Sequence, residues 1–157
     1  MLFAVGLTGC AATGAPRAAV ASTVPVASCS RAEGDGSLVV YSTTYPQTAE
    51  QSEYPAHTNY TILTADGHVR QHVANNTGPF GALPSTVELP CGNYEVRAQY
   101  GSGRFVAIPV AVRAGKSSIV ALTDEPVELQ AGSIREPIRL PNGHTVGWLA
   151  REPALFE

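Results

Sequence analysis

The sequence predicts an all-β domain built as an antiparallel β-sandwich, and three observations carry that expectation. Glycine (15) and proline (12) together make up about one residue in six of the 157, a density of chain-breaking residues that suits short strands better than long helices. Tyr94, Val96, Ala98 and Tyr100 alternate with Glu95, Arg97 and Gln99, which is the period of two of a half-buried strand. No segment sustains a helical period.

The elements follow in order. Order is expected to begin near Ser37, where Leu38–Ser42 forms a β-branched run after Gly34-Asp35-Gly36. Thr43–Asn59 reads as a polar loop containing Tyr45, Tyr54 and His57, with Tyr41 at its base. Tyr60–Thr64 and His68–Val73 flank Ala65-Asp66-Gly67, and Asp-Gly is a strong hairpin signal. Asn75–Pro84 is a Gly/Pro-rich loop holding Phe80, and Ser85–Leu89 alternates again. Pro90-Cys91-Gly92 turns the chain into Tyr94–Tyr100, and Gly101-Ser102-Gly103 turns it into Arg104–Val112. Pro109 marks that run as an edge strand or a bulge, because proline donates no ladder hydrogen bond. Ser117–Leu122 closes a series of seven strands after the turn Ala114-Gly115-Lys116. The sandwich domain is therefore assigned to residues 37–123. Residues 124–157 form a C-terminal extension, in which the Asn142-Gly143 turn joins 138–140 to 145–149 as a hairpin. That hairpin docks Trp148, the only tryptophan, on the sandwich.

Composition narrows the function classes. Charged residues are 15 % and the formal net charge is -3, which argues against nucleic acid as a partner, since that needs a basic face to displace counterions. Apolar residues at 44 % supply enough for a core.

Residues 1–10 read MLFAVGLTGC, a short apolar run that ends in small residues. That is a cleavage-site pattern rather than a spanning helix, which needs roughly 20 apolar residues. Leu7-Thr8-Gly9-Cys10 resembles the lipobox of bacterial lipoproteins. The resemblance implies a diacylglycerol on the Cys10 thiol and cleavage before it, so residues 1–9 are assigned as a lipoprotein signal peptide. No Lys or Arg precedes the apolar run; either the start lies further upstream or export is inefficient. Ala11 and Ala12 lack the aspartate that signals inner-membrane retention in Gram-negative lipoproteins. The resemblance thus implies a lipid-anchored protein of the cell envelope, at the outer membrane. Residues 10–36, rich in alanine and punctuated by proline, are expected to be a flexible, lipid-anchored linker.

With Cys10 assigned to lipid, Cys29 and Cys91 remain. An oxidising envelope permits a Cys29–Cys91 disulfide. Two unpaired thiols are the alternative. No Cys-x-x-Cys accompanies either cysteine, so no metal is expected.

The segment 85–122 has a further cadence: Leu89, Pro90, Gly92, Tyr94, Val96 and Ala98, then Ala114, Gly115, Val120 and Leu122. It resembles transthyretin-like sandwiches of the carboxypeptidase regulatory-like group and PEGA-type envelope modules. The resemblance implies a non-catalytic adhesion, binding or spacer domain, and it transfers no catalytic residue.

Motifs for catalysis are sparse. There is no Gly-x-Ser-x-Gly, and Gly115-Lys116-Ser117 lacks the upstream glycine of a phosphate-binding loop. His68 and His72 on a strand lie about 13 Å apart, too far to share one zinc. Glu50/Glu53 and Asp124/Glu125 read as solvated loop charges rather than a glycosidase pair. The expectation is a non-enzymatic structural or binding module with no cofactor. Its partners are the membrane, through the lipid, and an envelope protein or glycan. The alternative is a carbohydrate- or peptide-binding domain that uses the tyrosine-rich loop, with Tyr45, Tyr54 and His57, or Trp148 as an aromatic platform.

Overall fold

The computed structural model describes residues 18–19, 34–49, 52–76, 83–101, 103–122 and 134–151. These form twelve strands, with no helix among the described residues. In chain order they are β1 (Ala18–Ala19), β2 (Asp35–Tyr41), β3 (Thr44–Ala49), β4 (Ser52–His57), β5 (Tyr60–Thr64) and β6 (Val69–Val73). Then come β7 (Thr86–Pro90), β8 (Gly92–Tyr100), β9 (Arg104–Val112), β10 (Ser117–Ala121), β11 (Ile134–Arg139) and β12 (Thr145–Arg151).

Two five-stranded sheets carry the domain. The first has the order β1-β9-β8-β5-β6 and the second β11-β12-β10-β2-β7; β3 and β4 form a separate two-stranded sheet. Alternation decides which side chains go inward. Val96 and Ala98 of β8, Val106, Ile108, Val110 and Val112 of β9, and Ile62 of β5 enter one buried cluster from the first sheet. Leu38 and Val40 of β2, Val87 and Leu89 of β7, Val120 of β10 and Leu149 of β12 enter the same cluster from the second. One shared core between two sheets is what allows each of them to leave its other face to solvent.

Hairpins form where turn chemistry dictates. Gly67 has φ 86° and its N–H donates to the Thr64 carbonyl at 2.9 Å. Gly143 has φ 83° and donates to the Leu140 carbonyl at 2.8 Å. Only glycine takes such a conformation without strain.

The structure departs from the sequence reading in four places. The second sheet is mixed, not antiparallel, because β10 runs parallel to β2, with Val39 opposite Ile119 and Val40 opposite Val120. Strand pairs distant in sequence need no common turn, so a local pattern cannot fix their sense. The expected loop 43–59 is instead the β3–β4 hairpin, with Thr44 opposite His57 and Ala49 opposite Ser52. Among the described residues, nine strands therefore replace seven between Asp35 and Ala121. The C-terminal hairpin is no appendage, since β12 lies between β11 and β10 and pairs Trp148 with Ala121. Finally, Ala18–Ala19, inside the expected linker, pairs in parallel with Val106–Ala107 of β9. That pairing ends before Pro109, which has no N–H to offer on a ladder. Beyond the proline, Ser118 of β10 donates its hydroxyl to the Ala111 carbonyl at 3.0 Å and ties β9 to the second sheet.

Candidate functional site

The outer face of the first sheet holds an open groove of about 400 Å³ lined by Asn59, Tyr60, Thr61, His72, Val73, Ala74, Arg97 and Phe105. Sheet register assembles it. Thr61 of β5 lies opposite His72 of β6 on one side and Arg97 of β8 on the other. Three polar side chains thus stand in a row across neighbouring strands, spaced by about 4.8 Å per strand. Phe105 lies opposite Gln99 on β9 and is 62 % exposed. A phenyl ring so exposed at a groove rim offers an apolar surface next to polar groups, the composition of a ligand site.

Each polar group is held from behind. Thr61 Oγ1 and His72 Nδ1 are 3.0 Å apart. Arg97 Nε donates to Glu95 Oε1 at 2.7 Å, which orients the guanidinium. Asn59 Oδ1 accepts from the Asn75 N–H at 3.1 Å. The groove floor includes Tyr60, whose buried hydroxyl has no hydrogen-bond partner among the described residues. Burial pushes that phenol well above its ordinary range. The groove is a set of donors beside an aromatic face. The Thr61–His72 pair has the reach of a nucleophile–base contact, yet no carboxylate contacts His72 among the described residues. A dyad needs such a group to orient its imidazole.

The residues singled out from sequence do not gather in this groove. Tyr45, 39 % exposed, lies on β3 opposite Ala56. Tyr54 lies on β4 opposite Gln47, and its side chain is outside the described residues. His57 is buried; its Nδ1 lies 2.9 Å from the Ser42 carbonyl and its ring meets Tyr41 edge-on at 5.9 Å. That places His57 as a fastener between the hairpin and β2 rather than as a contact residue. Trp148 lies on the other sheet, opposite Ala121 and Pro137, and is 37 % exposed. Ala121 also lies opposite Tyr41, so Trp148 and Tyr41 flank a small residue on that outer face. Cys10 and Cys29 lie outside the described residues, whereas Cys91 is disulfide-bonded.

Sequence reading missed Asn59, Thr61, Arg97 and Phe105 as a group. Arg97 was legible as outward-facing, but its pairing with Thr61 depends on the β5–β8 register, and 35 residues lie between the two in sequence. His72 stood out only as half of a metal pair with His68. His68 instead lies 3.5 Å from Asp66 in the exposed β5–β6 turn. Among the described residues no three His, Cys, Asp or Glu side chains are placed to share a metal. Comparison with protein-family models, with curated proteins and with solved structures finds no significant match.

Proposed function

We propose that this chain is a lipid-anchored cell-envelope protein whose β-sandwich, transthyretin-like in kind, serves as a non-catalytic binding module. The observation that carries the binding role is the groove of Asn59, Thr61, His72, Arg97 and Phe105 on a rigid sheet face. The lipobox-like Leu7-Thr8-Gly9-Cys10 supports the anchor. The disulfide-bonded state of Cys91 suits an oxidising compartment, and Cys29 is the partner this reading assigns, because Cys10 carries the lipid.

The ligand that fits is a hydroxyl- and amide-bearing chain such as an envelope glycan. Its ring stacks on Phe105 and its oxygens accept from Arg97 and Asn59. The test is cosedimentation of the domain with peptidoglycan sacculi and titration with soluble glycan fragments. Saturable binding that weakens at least tenfold in Arg97→Ala and Phe105→Ala, with unchanged circular dichroism, is expected. Binding that those variants leave untouched overturns the site.

A second reading rests on Trp148 and Tyr41 flanking Ala121 on the opposite face. Loss of glycan binding in Trp148→Ala, with Phe105→Ala unaffected, would assign the ligand to that face instead.

A further inference from the structure

We infer that the end of the domain bearing the β8–β9 turn is a membrane-contact surface, with Phe105 and Tyr45 in the lipid headgroup region and Arg104 and Arg139 on lipid phosphates. The inference rests on the lipid-anchor reading of Cys10 and adds to it an orientation.

Chain direction supplies the first argument. β1 runs parallel to β9, with Ala18 opposite Val106 and Ala19 opposite Ala107. The chain therefore reaches Ala18 from the Arg104 side of β9, where β8 turns into β9. Cys10 lies eight residues before Ala18, which span at most roughly 29 Å when fully extended. Without the β1 pairing, the tether from Cys10 would run to Asp35 and reach roughly 90 Å. The pairing thus keeps this one end of the domain close to its anchor.

The chemistry of that end supplies the second argument. Thr43 donates its hydroxyl to the Gln99 carbonyl and accepts from the Gly101 N–H, both at 3.1 Å, so the β3–β4 hairpin with exposed Tyr45 begins there. Tyr100 Oη lies 3.0 Å from His144 Nε2, which brings the β11–β12 turn to the same end. Beside that turn, exposed Arg139 donates from Nη1 to the Gly143 carbonyl at 3.3 Å. Arg104 is exposed and Phe105 is 62 % exposed. Of the acidic residues with described side chains, Asp35, Asp66 and Glu88 lie towards the opposite end and Glu95 and Glu136 in mid-strand. Glu53 stands on β4 opposite Thr48, in the hairpin that starts at this end. Exposed aromatic rings beside arginines are the composition that partitions to a bilayer interface. The groove opens next to this end, since Phe105 belongs to both, so its ligand is met close to the membrane.

The test uses the full lipidated protein in vesicles of brominated phosphatidylcholine, with and without phosphatidylglycerol. In a Trp148→Phe background, which holds no other tryptophan, Phe105→Trp reports this end and Arg113→Trp the opposite one. The expected result is quenching at least threefold stronger for Phe105→Trp, increased by phosphatidylglycerol and reduced by Arg104→Glu with Arg139→Glu. Equal quenching at both ends, or stronger quenching at position 113, overturns the inference. Hydrogen exchange on the unsubstituted protein gives an independent reading: vesicles should protect amides of 99–105 and 141–145, not those of 65–68 and 113–116. The intact mass of the same preparation separates the two claims. A lipidated Cys10 without end-selective quenching overturns the orientation alone, and an unmodified Cys10 overturns the anchor and the orientation with it.

Discussion

Asn75 is fully buried, and its side chain ties the chain after β6 to the end of β2 and to the residue before β7. Its Nδ2 donates to the Val40 carbonyl at 2.7 Å and to Ser42 Oγ at 3.0 Å, while its Oδ1 accepts from the Ser85 N–H at 2.9 Å. Asn75→Ala leaves these buried groups unsatisfied, and a loss of about 2–4 kcal/mol is expected in urea unfolding. Tyr60 presents the opposite case. Its hydroxyl is buried without a partner among the described residues, so Tyr60→Phe is expected to be neutral or stabilising by up to about 1 kcal/mol. Burial raises the folded-state pKa above the unfolded value of 10.0. The folded state therefore holds this proton more tightly, and that share of stability is complete below about pH 10 and lost as pH rises further. Alkaline unfolding should move to higher pH in Tyr60→Phe, as followed by circular dichroism. Gly147 packs so closely that an added Cβ would overlap the Ala121 carbonyl oxygen. Gly147→Ala should accordingly pry β12 from β10 and cost more than about 2 kcal/mol.

At the scale of elements, the disulfide tests how the N-terminal segment joins the domain. Cys91 sits between β7 and β8, at the end opposite the β8–β9 turn. Cys91→Ser is expected to lower stability by about 2–4 kcal/mol. If Cys29 is the partner, Cys29→Ser gives the same loss and the double variant no more; additive losses would exclude that pairing. The same scale shows what was legible in the residues. Tyr94–Tyr100 and both glycine turns at Gly67 and Gly143 were readable because a strand's period and a turn's φ are local properties. The β3–β4 hairpin was not, since Thr44–Ala49 and Ser52–His57 hold Pro46 and Pro55 and little β-branched character. The parallel β2–β10 pairing and the place of β12 between β11 and β10 were hidden for another reason. They depend on which distant edge is left open once the nearer hairpins have formed. The groove was hidden in the same way, because Thr61, His72, Arg97 and Phe105 come from four strands. Their types were visible, but their adjacency was not.

For the whole molecule, two sheets with one core create two unlike outer faces. One carries the polar groove with Phe105, and the other carries Trp148 and Tyr41 about Ala121. A scaffold held by long-range pairing is rigid enough to position such side chains without an inducing ligand. On this account the fold presents a site and the N-terminus determines where it is presented. Where the site is presented depends on the anchor, so the most direct measurement is the intact mass of the protein purified from a Gram-negative envelope, with and without reductant. The account predicts loss of residues 1–9, a diacylglycerol-sized gain on Cys10, and a gain of about 2 Da on reduction of one disulfide. A mass beginning at Met1 with no adduct would contradict it.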